Sequence, residues 1–322
     1  MIACRVLGPV EVSVDGAPAP PELLWRKHLA LLVYLARSPK RARTREHLTG
    51  FLWPEKDESA ARHSLNEALR LLRRVMGDTA LDTNAGQVRL DVGAVRLDTD
   101  NLDRWIEEQN WADASAMVAG EFLEGFSVAG CERVEEWLAT ERRWWAGRSV
   151  TALLGASDAA LRKGRASEAH SAAERAVALD SHSDAAVQAM MRALAVQGDT
   201  LAALACAERF AATLAHDVNG ALSAATRQLA DRIRSTRGAR RSGTEPVLPA
   251  GGLRRAPLTG RSRELGQMLA LWDRCRHGGA TAIVLDGESG IGKTRLIEEF
   301  ATRVRLGGGS VALVRAVQGD GE

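Results

Sequence analysis

The run GESGIGKTR, Gly287 to Arg295, fits the spacing G-x-x-x-x-G-K-[ST]. Glycines at 287, 290 and 292 let backbone amides curl around phosphate oxygens without side-chain clashes, with Ile291 inside the turn and Arg295 just beyond it. Lys293 then reaches the terminal phosphates, and the Thr294 hydroxyl is placed to hold magnesium through the nucleotide. A second set of chemically capable residues lies in AARHSLNEALRLLRRVM, Ala60 to Met76. At about 100° per residue, Ala61, Leu65, Ala68, Leu69, Leu72, Val75 and Met76 fall within an arc of roughly 120°. Arg62, His63, Asn66, Arg70, Arg73 and Arg74 share the opposite side. One face is core and the other is cationic. Arginine forks grip phosphate or guanine edges at two points, and asparagine suits adenine or phosphate. The plain alternative is a solvated surface helix whose arginines serve only solubility.

Elements must hold that helix against a duplex. The opening ACRVLGPVEVSVDGAP alternates apolar and polar residues and ends in Asp15-Gly16, the pattern of a short hairpin. Leu24 to Ala36 has helical spacing. Thr44 caps a second short helix that Pro54 ends, and Asp57 or Ser59 starts the cationic helix, which stops at Gly77. ALDTNAGQVRLDV then turns at Asn84 to Gly86 as a second hairpin. Strands, three helices and a terminal hairpin in this order make a winged helix-turn-helix, whose third helix enters the major groove while the hairpin reaches the adjacent backbone. Arg43 and Arg45, in the basic cluster before the second helix, and Arg89, on the hairpin, are the further candidates for DNA contact.

RVLGPVEV, the helix pair before LWPE, the AARHSLNEALRLLRR helix and GQVRLDV together resemble the response-regulator output type of winged helix found in transcriptional activators of the streptomycete antibiotic regulatory protein (SARP) type. The resemblance covers residues 1–98. It implies promoter binding, as a dimer on direct repeats.

The middle of the chain, residues 99–234, is helical in pattern and rich in alanine. Gly164 to Gly198, Ala169 to Ala203, Ala173 to Ala207 and Glu174 to Glu208 are each 34 residues apart, the tetratricopeptide period, in which small alanines let paired helices pack closely. NWADASAMVAGEFLEGFSVAG and VEEWLATERRWW are expected to add helices to the array, with Trp137, Trp144 and Trp145 filling space between them. The segment resembles the bacterial transcriptional activation domain of the same regulators, which implies dimerisation and contact with RNA polymerase.

Residues 235–257 mix glycine, proline, serine and arginine and are expected to form a flexible join. In residues 258–322, Leu258, Gly260, Arg261 and Glu264 match the L-x-G-R-x-x-E lead-in of AAA-type and STAND nucleotide-binding modules. TAIVLD is expected as a buried strand before the phosphate loop, RLIEEFATRVRL as the helix after it and SVALVRA as one more strand. Hydrolysis needs an acid on a later strand, and none follows. The segment is therefore expected to be the front of an NTPase domain, from a truncated product or a longer regulator, with catalytic residues absent and ATP with magnesium as its ligand.

The 43 basic and 41 acidic residues leave a net charge of only +2, so placement rather than total charge carries the argument. The longest charge-free apolar run of the N-terminal half, LALLVYLA, is too short to cross a bilayer, and the N-terminus has no secretion-signal pattern. No membrane partner and a cytoplasmic location are expected. Cys4, Cys131, Cys206 and Cys275 have no metal or redox spacing and are read as reduced core residues. The sequence thus predicts a mainly α protein: winged helix-turn-helix, tetratricopeptide-like helical repeats, then a partial α/β P-loop NTPase segment. Its expected function is sequence-specific binding of double-stranded promoter DNA as a transcriptional activator and homo-oligomer, with no cofactor needed for DNA binding. The competing expectation is a STAND-type signalling ATPase whose N-terminal region serves protein interaction.

Overall fold

The computed structural model describes residues 1–241, 260–276, 278–312 and 314, in two compact units, Met1–Ala152 and Leu153–Glu322. In the first unit, β1 (Ile2–Arg5) pairs antiparallel with β2 (Glu11–Val14), which pairs antiparallel with β3 (Ala17–Pro18). Asp15 and Gly16, at φ +49° and +84°, make the tight turn that the Asp-Gly pair predicted. Ile2 and Cys4 face inward, and burial pushes the Cys4 thiol up to about 12.

Helix α1 (Arg26–Arg37) buries every residue from Leu29 to Ala36, so it forms the centre of this unit rather than an amphipathic face. Burying each of its leucines contributes about 1.5–3 kcal/mol. Strand β4 (Ala42–Thr44) leads into α2 (Arg45–Leu52), where the Thr44 hydroxyl accepts from the His47 amide at 3.2 Å. Asp57 caps α3 (Glu58–Met76) by accepting from the Ala60 amide at 2.9 Å, and Gly77 ends it at φ +94°. The wing is β5 (Leu81–Asp82) and β6 (Gln87–Leu90), antiparallel across the 84–86 turn, and β6 also pairs with β4. Strand β7 (Val95–Leu97) leaves the wing and runs parallel to β1, giving the order β3-β2-β1-β7. A parallel neighbour some ninety residues away leaves no local signature in the sequence.

Asp98 locks this return. Its Oδ2 accepts from the amides of Val6 at 3.0 Å and Leu7 at 3.1 Å, and its Oδ1 accepts from Thr99 at 2.9 Å. Burial raises its pKa against the pull of those three amides.

After α4 (Asp98–Glu107) and α5 (Trp111–Met117) the chain departs from expectation. AGEFLEGFSVAG is not a helix. It runs as turns and isolated bridges, pairing Leu7 with Phe122 and Pro9 with Glu124 and turning at Leu123 and Gly125, where φ is positive. From α6 (Glu132–Arg162), Arg142 holds it by donating to the carbonyls of Phe122, Leu123 and Phe126 at 2.7–3.1 Å. The approach is close enough that a Cβ on Gly8 would sit 2.8 Å from the Ala119 Cβ. Trp137 packs edge-on to Tyr34 and Phe122, and Trp145 is fully buried with its indole donating to Glu141 at 2.9 Å. Trp144, by contrast, is 60% exposed and fills no space between helices.

The second unit begins in the later turns of α6 and continues through α7 (Ala166–Leu179), α8 (Asp184–Val196), α9 (Thr200–Val218) and α10 (Ala224–Arg241). The 34-residue period is repeated in the backbone itself. Gly164 and Arg165 donate to Leu161 and Ala160, while Gly198 and Asp199 donate to Ala195 and Leu194. Both glycines have positive φ, +80° and +89°, as this helix-ending turn requires. Ala169, Ala173, Ala203 and Ala207 are buried, and Glu174 and Glu208 face solvent. Helix α10 runs past residue 235, where the join was expected, to Arg241; the rest of that join and Leu258 lie outside the described residues.

Helices α11 (Ser262–Arg276) and α12 (Lys293–Leu306) complete the unit, with Leu306 in the same core as Met191, Phe210 and Ile233. TAIVLD forms no strand among the described residues and is largely exposed, with Val284 at 87%. A strand exists only through its ladder partners, and of the expected neighbour SVALVRA the described residues, Ser310 to Ala312 and Val314, form no strand either. The cysteines are unbridged; Cys275 is only half-buried.

Candidate nucleic-acid face and phosphate loop

Helix α3 divides as its spacing dictates. Ala61, Leu65, Ala68, Leu69 and Leu72 are buried, together with Leu71, while Val75 and Met76 are half-buried. Arg62, His63, Asn66, Arg70 and Arg74 are exposed on the other side. Arg62 pairs with Glu58 and Arg70 with Glu67 on the same helix. Such solvent-exposed pairs contribute about 0–1 kcal/mol, so they hold these guanidiniums only weakly. Arg45, at the start of α2, donates to the Asn66 side-chain oxygen and sets that amide's orientation.

Two of the candidate arginines are turned elsewhere. Arg73 is half-buried and donates from Nη2 to the Thr83 hydroxyl at 2.7 Å, so it braces the wing against α3. Arg43 donates from Nε to the Ser38 hydroxyl at 2.9 Å and lies over the Tyr34 ring at 5.2 Å from its centroid. Arg89 is exposed on β6, between the buried Val88 and Leu90.

The start of α2, the start of α3 and Gly86 at the wing turn enclose an open groove of about 900 Å³. Thr44, Arg45, Thr49, Lys56 and Arg62 present donors along it, with Glu46 and Glu58 beside them. Lys56 was not singled out in the sequence. It sits in the EKDE turn, which reads as an ordinary charged loop, and only the packing of α2 on α3 brings it to this groove.

In the second unit the phosphate-loop glycines adopt the conformations their motif requires: Gly287, Gly290 and Gly292 have φ +150°, +84° and +99°. Gly292 caps α12, so the amides at the helix start face the curl. Lys293 folds back over the loop, its Nζ donating to the Gly287 carbonyl at 2.5 Å and the Glu288 carbonyl at 2.8 Å. Thr294 and Ile291 are exposed. Arg295, one turn into α12, is half-buried and engaged. The lead-in is tied to the loop: Arg261 pairs with Glu264 at 2.9 Å and donates to the Ile291 carbonyl at 3.4 Å. Backbone amides at a helix start, three glycines and a central ammonium fit a polyphosphate. Among the described residues no cluster of three His, Cys, Asp or Glu side chains is placed to hold a metal, and no helix is long and apolar enough to cross a membrane.

A family model of the bacterial transcriptional activator domain matches residues 81–234, and one of the AAA ATPase domain matches residues 257–320. No curated protein matches the chain. Among solved structures it is similar to Mycobacterium tuberculosis EmbR in complex with low affinity phosphopeptide, at 19% identity and a TM-score of 0.58, over 84% of this chain and 71% of that one. At that identity the likeness carries the fold alone. The chain therefore carries a bacterial transcriptional activator domain followed by an AAA-type ATPase domain, in the order its elements show.

Proposed function

We propose that the protein is a SARP-type transcriptional activator that lays the exposed side of α3 in the major groove of double-stranded promoter DNA, with Arg62, His63, Asn66, Arg70 and Arg74 toward the duplex. The observation that carries this reading is the division of α3 into a buried apolar side and an exposed side bearing these donors. Arg45 and Lys56 in the groove, and Arg89 on the wing, are assigned to flanking phosphates. Arg73 and Arg43 act indirectly, by fixing the wing and the α1–α2 corner. Binding as a homo-oligomer and contact with RNA polymerase belong to the same proposal, as does action in the cytoplasm, where the promoter is.

The phosphate loop is assigned ATP, with Lys293 on the terminal phosphates and Thr294 on the accompanying magnesium. DNA binding itself requires neither.

The test is fluorescence anisotropy with promoter fragments across a salt series. Arg70→Ala plus Arg74→Ala should weaken binding by about 10²-fold or more, at about 1–3 kcal/mol per contact. Undiminished affinity in that variant, with its fold intact by circular dichroism, would remove α3 from the interface.

A further inference from the structure

In the second unit the C-terminal ends of α6, α8, α11 and α12 converge on a cavity of about 200 Å³ that neither the DNA face nor the phosphate loop uses. We propose that this cavity is a binding site for a small carboxylate with a flat apolar body, such as a single-ring aromatic acid.

Charge is the first argument. Arg162, Arg192 and Arg276 line the cavity, and none forms an ion pair among the described residues. Asp158 and Asp273 are the carboxylates on its walls, so the free guanidiniums outnumber them. Convergent helix C-termini would ordinarily repel an anion, but their last carbonyls are already met by the turns that follow. Gly164 donates to Leu161, Asp199 to Leu194 and Gly309 to Val304.

Arg303 is the second and independent argument. Its side chain is only 7% exposed; Nη1 donates to the Leu161 carbonyl at 2.7 Å and Nη2 pairs with Glu299 at 3.3 Å. Its Nε is buried with no acceptor. Burial and the missing partner both disfavour this cation, whose pKa is lowered by desolvation against the field of Glu299. Buried guanidinium donors are normally all bonded, so this sealed orphan on a cavity-lining residue would gain an acceptor if the side chain turned toward an arriving carboxylate.

The remaining wall selects the body of the ligand. Trp272, Leu269 and Val196 are apolar or aromatic, and Gly309 fixes the indole, because a Cβ there would meet its ring at 2.7 Å. A volume of about 200 Å³, partly open to solvent, has room for one ring and a carboxylate. The phosphate loop lies at the other end of α12, on the order of 20 Å away along the helix.

The probe is benzoate, titrated calorimetrically into the full chain, with benzamide as its neutral counterpart and inorganic phosphate as an anion without a body. Benzoate should bind saturably, with benzamide and phosphate each at least about tenfold weaker. Arg192→Gln plus Arg276→Gln should weaken benzoate by about tenfold or more, and Lys293→Ala should leave it unchanged. Trp272→Leu, with the arginines intact, should reduce the preference for benzoate over phosphate. Equal binding of benzamide, phosphate as tight as benzoate, an unaffected double arginine variant or no saturable binding would each overturn the assignment.

Discussion

Asp98 and Arg73 show how much of this molecule depends on single side chains turned inward. Removing the Asp98 carboxylate strands the buried amides of Val6 and Leu7, so Asp98→Ala should cost about 2–4 kcal/mol in urea unfolding. Its raised pKa has a definite sign. Burial makes the ionised form the less favourable one in the fold, so the associated stability is full below the ordinary aspartate range and is lost as pH rises through the folded value. Asp98→Asn keeps an oxygen for Val6 and Leu7 and should flatten that part of the pH profile; an unchanged drift would place its origin elsewhere. Arg73 sits within the run of arginines that reads as a DNA contact, yet Thr83 holds it. Arg73→Gln should therefore loosen the wing, visible as faster amide exchange at β5 and β6, before it alters any phosphate contact.

At the scale of elements, α3 is the part most legible from spacing. Its cap, length and stop follow from Asp57, an unbroken apolar stripe and Gly77. A Cβ at Gly77 would meet nothing within 4 Å, so the glycine serves backbone conformation alone. Gly77→Ala should cost about 1–2 kcal/mol through the strained φ, with no contribution from packing. A loss much larger than that would mean the α3–wing turn is crowded after all. The AGEFLEGFSVAG segment teaches the opposite lesson. Its apolar spacing is compatible with a helix, but pairing with the Leu7–Pro9 stretch and the three carbonyl bonds from Arg142 favour a bridged, turning path. Such long-range partners leave no periodicity to read.

Across the whole molecule, charge placement has more consequence than the net charge of +2. If α3, the groove and the wing neutralise phosphates together, the logarithm of the binding constant should fall linearly with the logarithm of salt, by about 0.9 per phosphate. Lys56→Ala should then reduce that slope by about one while leaving sequence preference intact. A loss of sequence preference without a change in slope would place Lys56 on a base edge instead. In the second unit, Lys293→Ala should abolish nucleotide-dependent thermal stabilisation of the chain, measured by scanning fluorimetry with ATP.

The sequence alone settled whatever depends on near neighbours. Helical spacing, caps, the Asp-Gly turn, the 34-residue repeat and the glycine pattern of the phosphate loop are local because backbone dihedrals and hydrogen bonds between adjacent turns are local. Tertiary structure decided what depends on contacts distant in the chain: β7 beside β1, Arg43 and Arg73 drawn away from the exposed face, Lys56 brought to the groove, TAIVLD left without a ladder, and Arg303 buried beside a cavity. Those outcomes are set by which surfaces meet, and a side chain's type does not say what will be packed against it.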